Sequence, residues 1–101
     1  MKSNRRRKDL AEHLRILIPL APMADFIEIQ QVADAGHLRH LPITIAAWQA
    51  VTTRARHAHT DYDTLLADGY DQDSARHFVV DDMNDILETW GCTKRVDVNI
   101  E

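Results

Sequence analysis

Residues 43–58 read ITIAAWQAVTTRARHA, and this segment determines the architecture of the chain. Its small apolar residues recur every three to four positions, which is the spacing of one face of an α-helix. Pro42 precedes the segment and fits the first turn of such a helix. Because alanines dominate the stripe, we expect close approach by another helix, whereas Trp48 lies off its centre and should be exposed. The stripe comprises Ile43, Ala46, Ala47, Ala50, Val51, Arg54, Ala55 and Ala58.

Two helices are predicted before this segment. Leucines and isoleucines at helical spacing predict a first helix over residues 5–18, which Pro19 and Pro22 would end. A second helix is predicted over residues 23–35, with Gly36 as the glycine that follows its end.

Two more helices are predicted after it. A hydroxyl at Thr60 followed by a carboxylate at Asp63 resembles a capping box, which predicts a break and a short helix over 61–68. Gly69 would close that helix, and the last helix would run over 71–90 with Asp71 or Asp73 as its cap. We expect its buried face to comprise Ala75, Phe78, Val79, Met83, Ile86, Leu87 and Trp90.

The resulting fold class is all-α, a compact bundle of four to five helices. We divide the chain into a basic flexible tail over 1–8, one helical domain over 9–91 and a C-terminal tail over 92–101. Alternation of apolar and polar residues over 96–100 predicts a short extended segment in that tail.

Composition narrows the class of protein. The chain has 101 residues, 45% of them apolar and 28% charged, which is typical of one globular domain. Its one cysteine excludes an intramolecular disulfide and favours a reducing, cytoplasmic location. No apolar run is long enough to span a membrane or to form a signal peptide, so we expect no membrane partner.

Charge is divided unevenly along the sequence. Residues 1–60 carry nine Lys/Arg and five Asp/Glu, whereas residues 61–90 carry nine Asp/Glu and one arginine. Opposite charges on one chain are complementary between two copies, and with an exposed Trp48 they favour a homodimer. A nucleic-acid-binding domain is the alternative, with a basic face supplied by Arg5, Arg6, Arg7 and Lys8.

The segment over 54–66 holds the densest polar chemistry, with two Arg, two His, two Asp and a Tyr. The series His-x-His-x-Asp-x-Asp over 57–63 cannot converge on one metal along a continuous helix, and we predict no metal or cofactor. An enzyme in which His57 and Asp63 act as a general acid and base is a further hypothesis, without an accompanying nucleophile motif. We predict no catalytic residue.

A structural network is the favoured interpretation of the same residues. Thr60 and Asp63 would cap a helix, Tyr62 would pack with its hydroxyl bonded, and His57 would donate to a backbone carbonyl. Arg56 or Arg76 would pair with Asp63 and so lock the third helix to the last. The candidate polar site therefore comprises Arg56, His57, Thr60, Tyr62, Asp63 and Arg76.

From about Leu17 to Trp90 the chain resembles an uncharacterised family catalogued as domain of unknown function 2293. The resemblance is carried by a pattern of Arg-His-x-x-Thr-x-Tyr-Asp-x-Leu-Leu starting at Arg56, then by Gly69-Tyr70-Asp71, Ala75-Arg76, Val79 and Trp90. It implies a discrete domain and singles out these residues, but implies no activity or cofactor. The favoured function is a small helical binding or interaction module that self-associates.

Overall fold

Five helices make up the computed structural model, which describes residues 2–97 of the chain and side chains from residue 5 onward. The all-α prediction is confirmed. No helix in that part of the chain is long and apolar enough to cross a lipid bilayer. The helices are α1 (Lys2–Leu17), α2 (Met23–Ala33), α3 (Ile43–His59), α4 (Tyr62–Ala67) and α5 (Gln72–Thr89).

Helix α3 is central and contacts each of the other four helices. Its alanine stripe allows this, because Ala46, Ala47, Ala50 and Ala55 are fully buried and their small side chains let the neighbouring backbones approach. Pro42 lies at the N-cap of α3, as the sequence predicts for a residue with a fixed φ and no amide proton.

Trp48 differs from its prediction. Its side chain is half-buried against the core, and the ammonium of Lys94 lies 4.4 Å from its ring centroid. The segment that follows α5 therefore covers the ring, and Trp48 is not an exposed anchor for a partner.

The helix predicted over 5–18 is α1, which begins at Lys2 and so includes part of the basic segment predicted as a tail over 1–8. The guanidinium of Arg6 donates to the carbonyls of Leu41 at 2.9 Å and Leu38 at 3.3 Å, so this part of α1 is fastened to the connector between α2 and α3. The connector ends α2 at Asp34, and Gly36 lacks the positive φ that a glycine cap would have.

Glycines do end the later elements as predicted. Gly69 has φ of 102° after α4, and Gly91 has φ of 77° after α5. At Gly91 the chain also meets the turn between α1 and α2, where the Leu20 amide donates to the Trp90 carbonyl at 2.9 Å. Asp71 caps α5 by accepting from the Ser74 amide at 2.8 Å.

The buried face of α5 differs from its prediction at two positions. Phe78 is 59% exposed, whereas Val80 is buried. Since each residue turns a helix by about 100°, Phe78 lies about 140° around the axis from the buried Met83. The prediction included Phe78 because it follows Ala75 by three residues, but Phe78 lies far from the centre of the buried face.

The segment after α5 folds back onto the bundle. Val96 is buried, and its backbone amide donates to Asn84 Oδ1 at 2.8 Å while its carbonyl accepts from Asn84 Nδ2 at 3.2 Å. Cys92 is also buried, so the core extends beyond the predicted domain boundary at residue 91. Residues 92–97 form no strand, and the rest of the predicted extended tail lies outside the described residues.

Candidate functional site

The break between α3 and α4 organises the predicted site. The hydroxyl of Thr60 donates to the Arg56 carbonyl in the last turn of α3, and the same oxygen accepts from the Tyr62 amide at 3.2 Å. Thr60 is the C-cap of α3, and Asp61 is the N-cap of α4 without a side-chain cap bond. The break is therefore where the sequence predicts it, but Thr60 and Asp63 do not form a capping box.

The side chains of His57 and Asp63 are within hydrogen-bond distance of each other across this break. Their Nδ1 and Oδ1 atoms lie 2.6 Å apart, and the side chains are 46% and 60% exposed. The prediction that Asp63 pairs with Arg56 or Arg76 is wrong, as is the prediction that His57 donates to a backbone carbonyl. The extended backbone at Thr60 interrupts the helix, and the carboxylate of Asp63 meets the imidazole of the residue six positions before it.

Beneath that pair lies a buried layer. Arg56 is 7% exposed and Tyr62 is 3% exposed, with the guanidinium carbon 5.6 Å from the ring centroid. The edge of the His57 imidazole contacts the same Tyr62 ring at 5.3 Å between centroids. This packing of Tyr62 agrees with the structural interpretation of the motif.

The charge of Arg56 is affected by its surroundings. Burial lowers the pKa of the Arg56 guanidinium, the positive charge of Arg76 on α5 lowers it further, and Tyr62 opposes both. The group remains charged at neutral pH, because an arginine loses its proton only at very high pH. The structure thus brings all six candidate residues to one region between α3, α4 and α5.

A second polar cluster was missed by the sequence analysis. Asp25 in α2 is 4% exposed, and its Oδ1 accepts from Arg54 Nε at 2.7 Å and lies 2.8 Å from His59 Nε2. His59 also places its ring edge-to-face against Trp90, with centroids 5.5 Å apart. The signal in the sequence was the spacing of Asp25, Ile29 and Ala33, which puts the carboxylate on the buried stripe of α2.

Opposing effects act on the ionisation of Asp25. Burial alone would raise the pKa of its carboxyl group, but hydrogen bonds from His59 and Arg54 and their positive charges outweigh burial and lower the pKa below 3.8. Asp25 is therefore ionised at neutral pH and ties the start of α2 to the end of α3.

The His-x-His-x-Asp-x-Asp series is split between these two clusters. His57 bonds to Asp63, whereas His59 bonds to Asp25 and shares it with Arg54. Among the described residues, no three His, Cys, Asp or Glu side chains come together as a metal site would require.

A shallow groove lies beside His57, between α2 and α3. Its volume is about 280 Å³, and its lining includes Glu28, Val32, Arg54 and His57. The bond to Asp63 orients the imidazole, so a proton donor or acceptor in a ligand would meet the other ring nitrogen. This volume is slightly below the range of about 300–1,000 Å³ that small-molecule sites occupy.

Three of the four N-terminal basic residues have partners on their own chain. Arg6 bonds to the connector carbonyls, Arg7 lies 3.5 Å from Asp34, and Arg5 lies 4.0 Å from Asp9 one turn later. Lys8 is exposed. The predicted basic face is therefore one end of α1, and some of its side chains already bond to other parts of the bundle.

Comparison with known proteins gives one match. A family described as an uncharacterised conserved protein, DUF2293, matches residues 13–91, which includes both polar clusters. No curated protein and no solved structure matches the chain.

Proposed function

This chain belongs to the DUF2293 family of uncharacterised conserved proteins, and we propose that it is an interaction module that forms a homodimer. The proposal rests on an apolar surface, which we call the α1–α2 face and define as Leu20, Met23 and Ile27. These three side chains are 69%, 70% and 45% exposed. Large apolar side chains that cluster in solvent mark association surfaces.

The face adjoins a groove that can receive a side chain. The groove has a volume of about 340 Å³, and Pro19, Phe26, Met23 and Ile27 contribute to its lining. Phe26 is half-buried at its base, with the Arg15 guanidinium 5.9 Å from the ring centroid. An apolar side chain from a partner would replace water over these carbon atoms, which is the main favourable contribution at an interface.

A second copy is the partner that this face suits. In a two-fold dimer each surface meets itself, so a strongly charged surface would repel its own copy. Among the residues lining the groove, only Arg15 is charged, and its cation lies over Phe26. The uncharged α1–α2 face is therefore compatible with itself.

Location and the alternative partner are part of the same proposal. We propose a cytoplasmic location, and the free, buried thiol of Cys92, the one cysteine of the chain, supports it. A nucleic-acid partner is the alternative, and it would depend on the exposed charges of Arg5 and Lys8 at the start of α1.

Light scattering coupled to gel filtration tests the dimer. We expect wild type to have twice the 11.6 kDa mass of one chain at millimolar concentration and to approach the mass of one chain at low micromolar concentration, and Met23→Glu with Ile27→Glu to be monomeric throughout. Met23 begins α2, where a carboxylate is tolerated by the helix dipole, so circular dichroism should show an intact fold. Ile45→Glu is the control, since Ile45 is 46% exposed on α3 and should leave the mass unchanged. A wild-type monomer over the whole range would refute the proposal.

A further inference from the structure

A second surface of the molecule differs in chemistry from the α1–α2 face. We call it the acidic aromatic face, and define it as Tyr70, Phe78, Asp81, Asp82 and Asp85. All five side chains are exposed, with Tyr70 47% and Phe78 59% accessible to solvent. Aromatic side chains contribute most to stability when their large apolar surface is buried, and these two rings leave theirs in contact with water. Packing in the core of this chain therefore does not explain their position.

The two rings form a fixed pair. Their centroids lie 5.6 Å apart at an interplanar angle of 84°, which is the edge-to-face geometry that aromatic side chains favour. Phe78 projects from α5, and the backbone of Tyr70 is fixed because its amide donates to the Leu65 carbonyl at 3.1 Å. The pair is therefore built on rigid elements, which reduces the entropy lost when a partner binds.

Three other aromatic rings each lie close to a Lys or Arg side chain, and the ring of Trp90 packs against His59. Phe26 has Arg15, Trp48 has Lys94 and Tyr62 has Arg56, at 5.9, 4.4 and 5.6 Å from the ring centroids. Within residues 5–97, no Lys or Arg lies over Tyr70 or Phe78 in this way. This pair thus offers a cation–π site that the described part of the chain does not fill.

Carboxylates continue the surface along α5. Asp81, Asp82 and Asp85 lie within about 60° of Phe78 around the helix axis, so the four side chains share one side of α5. None of the three makes an ion pair within the described part of the chain. Asp81 and Asp85 are four residues apart, and like charges at that spacing destabilise a helix. The one cation on α5, Arg76, lies about 160° from Phe78, on the side facing Arg56.

We propose that the acidic aromatic face docks a segment of another protein that carries lysine or arginine side chains. One cation would lie over the Tyr70–Phe78 pair while a second pairs with the aspartates, which lie about 5–10 Å further along the helix axis. Neutralising the carboxylates removes their mutual repulsion and so adds to the attraction. Nucleic acid does not fit this face, because its phosphates carry the same charge as the aspartates.

The basic end of α1 in a second copy is the competing occupant. Arg6 and Arg7 already bond within their own chain, so they would have to give up those contacts in order to dock. A basic segment of a different protein would not have to break contacts of this kind in order to bind. The face lies apart from Met23 and Ile27, so this proposal does not depend on the dimer.

Fluorescence anisotropy with a labelled octapeptide that contains four arginines tests the proposal. We expect Phe78→Ala to weaken binding about fivefold, because the cation loses its ring but no charge changes. Asp81→Asn with Asp82→Asn should weaken binding by a similar factor and reduce its salt dependence. The matched control is Glu12→Gln with Glu28→Gln, which removes two exposed carboxylates elsewhere and should bind like wild type.

Three results would overturn the proposal. One is equal affinity of wild type and Phe78→Ala for the peptide. Another is a loss of peptide affinity in Glu12→Gln with Glu28→Gln that is as large as the loss in Asp81→Asn with Asp82→Asn. General attraction between opposite charges would then explain the binding. The last is conversion of a dimer to a monomer by Phe78→Ala, which would make a second copy the occupant. Met23→Glu with Ile27→Glu should bind the peptide unchanged, so the dimer and the docking face can fail separately.

Discussion

Replacing Asp25 with Asn should destabilise the fold more than any change at the exposed half of the polar site. Asp25 Oδ1 accepts from Arg54 Nε at 2.7 Å and lies 2.8 Å from His59 Nε2, and the residue is 4% exposed. Asparagine keeps the size of the side chain and one acceptor oxygen but loses the negative charge. Arg54 would then remain partly buried without a counter-charge.

The magnitude follows from the burial of the three groups. Removing one partner of a fully buried ion pair costs about 3–5 kcal/mol. Here the side chains of Arg54 and His59 are 29% and 32% exposed, so water screens part of the lost attraction. We therefore expect the free energy of unfolding to fall by about 2–3 kcal/mol, which would lower the urea midpoint by about 1–2 M.

The pH dependence gives an independent signature. The pKa of Asp25 is lower in the folded protein than the 3.8 of an unperturbed carboxyl, so the unfolded chain binds its proton first as pH falls. The stabilisation is therefore complete above the unfolded pKa of about 3.9 and is lost as pH falls through the folded pKa. The difference between wild type and Asp25→Asn should therefore be present at neutral pH and shrink as pH falls below about 4.

Urea unfolding followed by tryptophan fluorescence measures this difference, since His59 contacts the Trp90 ring. Protein concentration must be equal in all samples, because dimerisation adds to apparent stability. Asp63→Asn is the control, since Asp63 is 60% exposed and its pair with His57 should contribute less than about 1 kcal/mol. If Asp25→Asn and Asp63→Asn have the same urea midpoint, the buried contacts of Asp25 do not stabilise the packing of α2 against α3.

Further predictions concern the turn after α5 and the untested partners. Gly91→Ala should lower stability by about 1–3 kcal/mol, because φ is 77° and a Cβ would lie 3.0 Å from Pro19 Cγ. Gly69→Ala, with φ of 102° but no atom within 4 Å, measures the backbone strain alone, and equal losses in both would exclude the Pro19 contact. Any affinity for duplex DNA should fall steeply with salt and be lost in Arg5→Gln with Lys8→Gln, and unchanged binding in that variant would exclude the basic face. Elemental analysis of protein purified without a tag should find no stoichiometric metal, and one zinc per chain would contradict this.

Local signals in the sequence located the helices well. Pro42 and Asp71 start α3 and α5, and Gly69 and Gly91 end α4 and α5, because these residue types act on the adjacent backbone alone. The first helix was predicted to begin at residue 5, and α1 begins three residues earlier, at Lys2. What the sequence did not predict is the contact of Arg6 with carbonyls more than thirty residues away. A contact between residues so far apart along the chain does not follow from the spacing of residues within one helix.

Side-chain partners were predicted less well than helix ends. The six candidate residues do lie together, but Asp63 pairs with His57 and not with Arg56 or Arg76. The choice among nearby cations depends on the direction that the chain takes after Thr60, which spacing alone does not give. The sequence analysis missed Asp25 because the role of a carboxylate on an apolar helix face depends on its hydrogen-bond partners. Those partners lie on another helix, and the sequence alone does not identify them.

Amide chemical shifts followed during dilution test the homodimer and its location in one experiment. From millimolar to low micromolar concentration, we expect the amides of Leu20, Met23 and Ile27 to shift together along one binding curve, because dissociation exposes the α1–α2 face. The amides of Tyr70 and Phe78, on the other exposed face, should stay constant. Shifts at Tyr70 and Phe78 with none at Met23 and Ile27, or no shifts over the whole range, would contradict a dimer formed through the α1–α2 face.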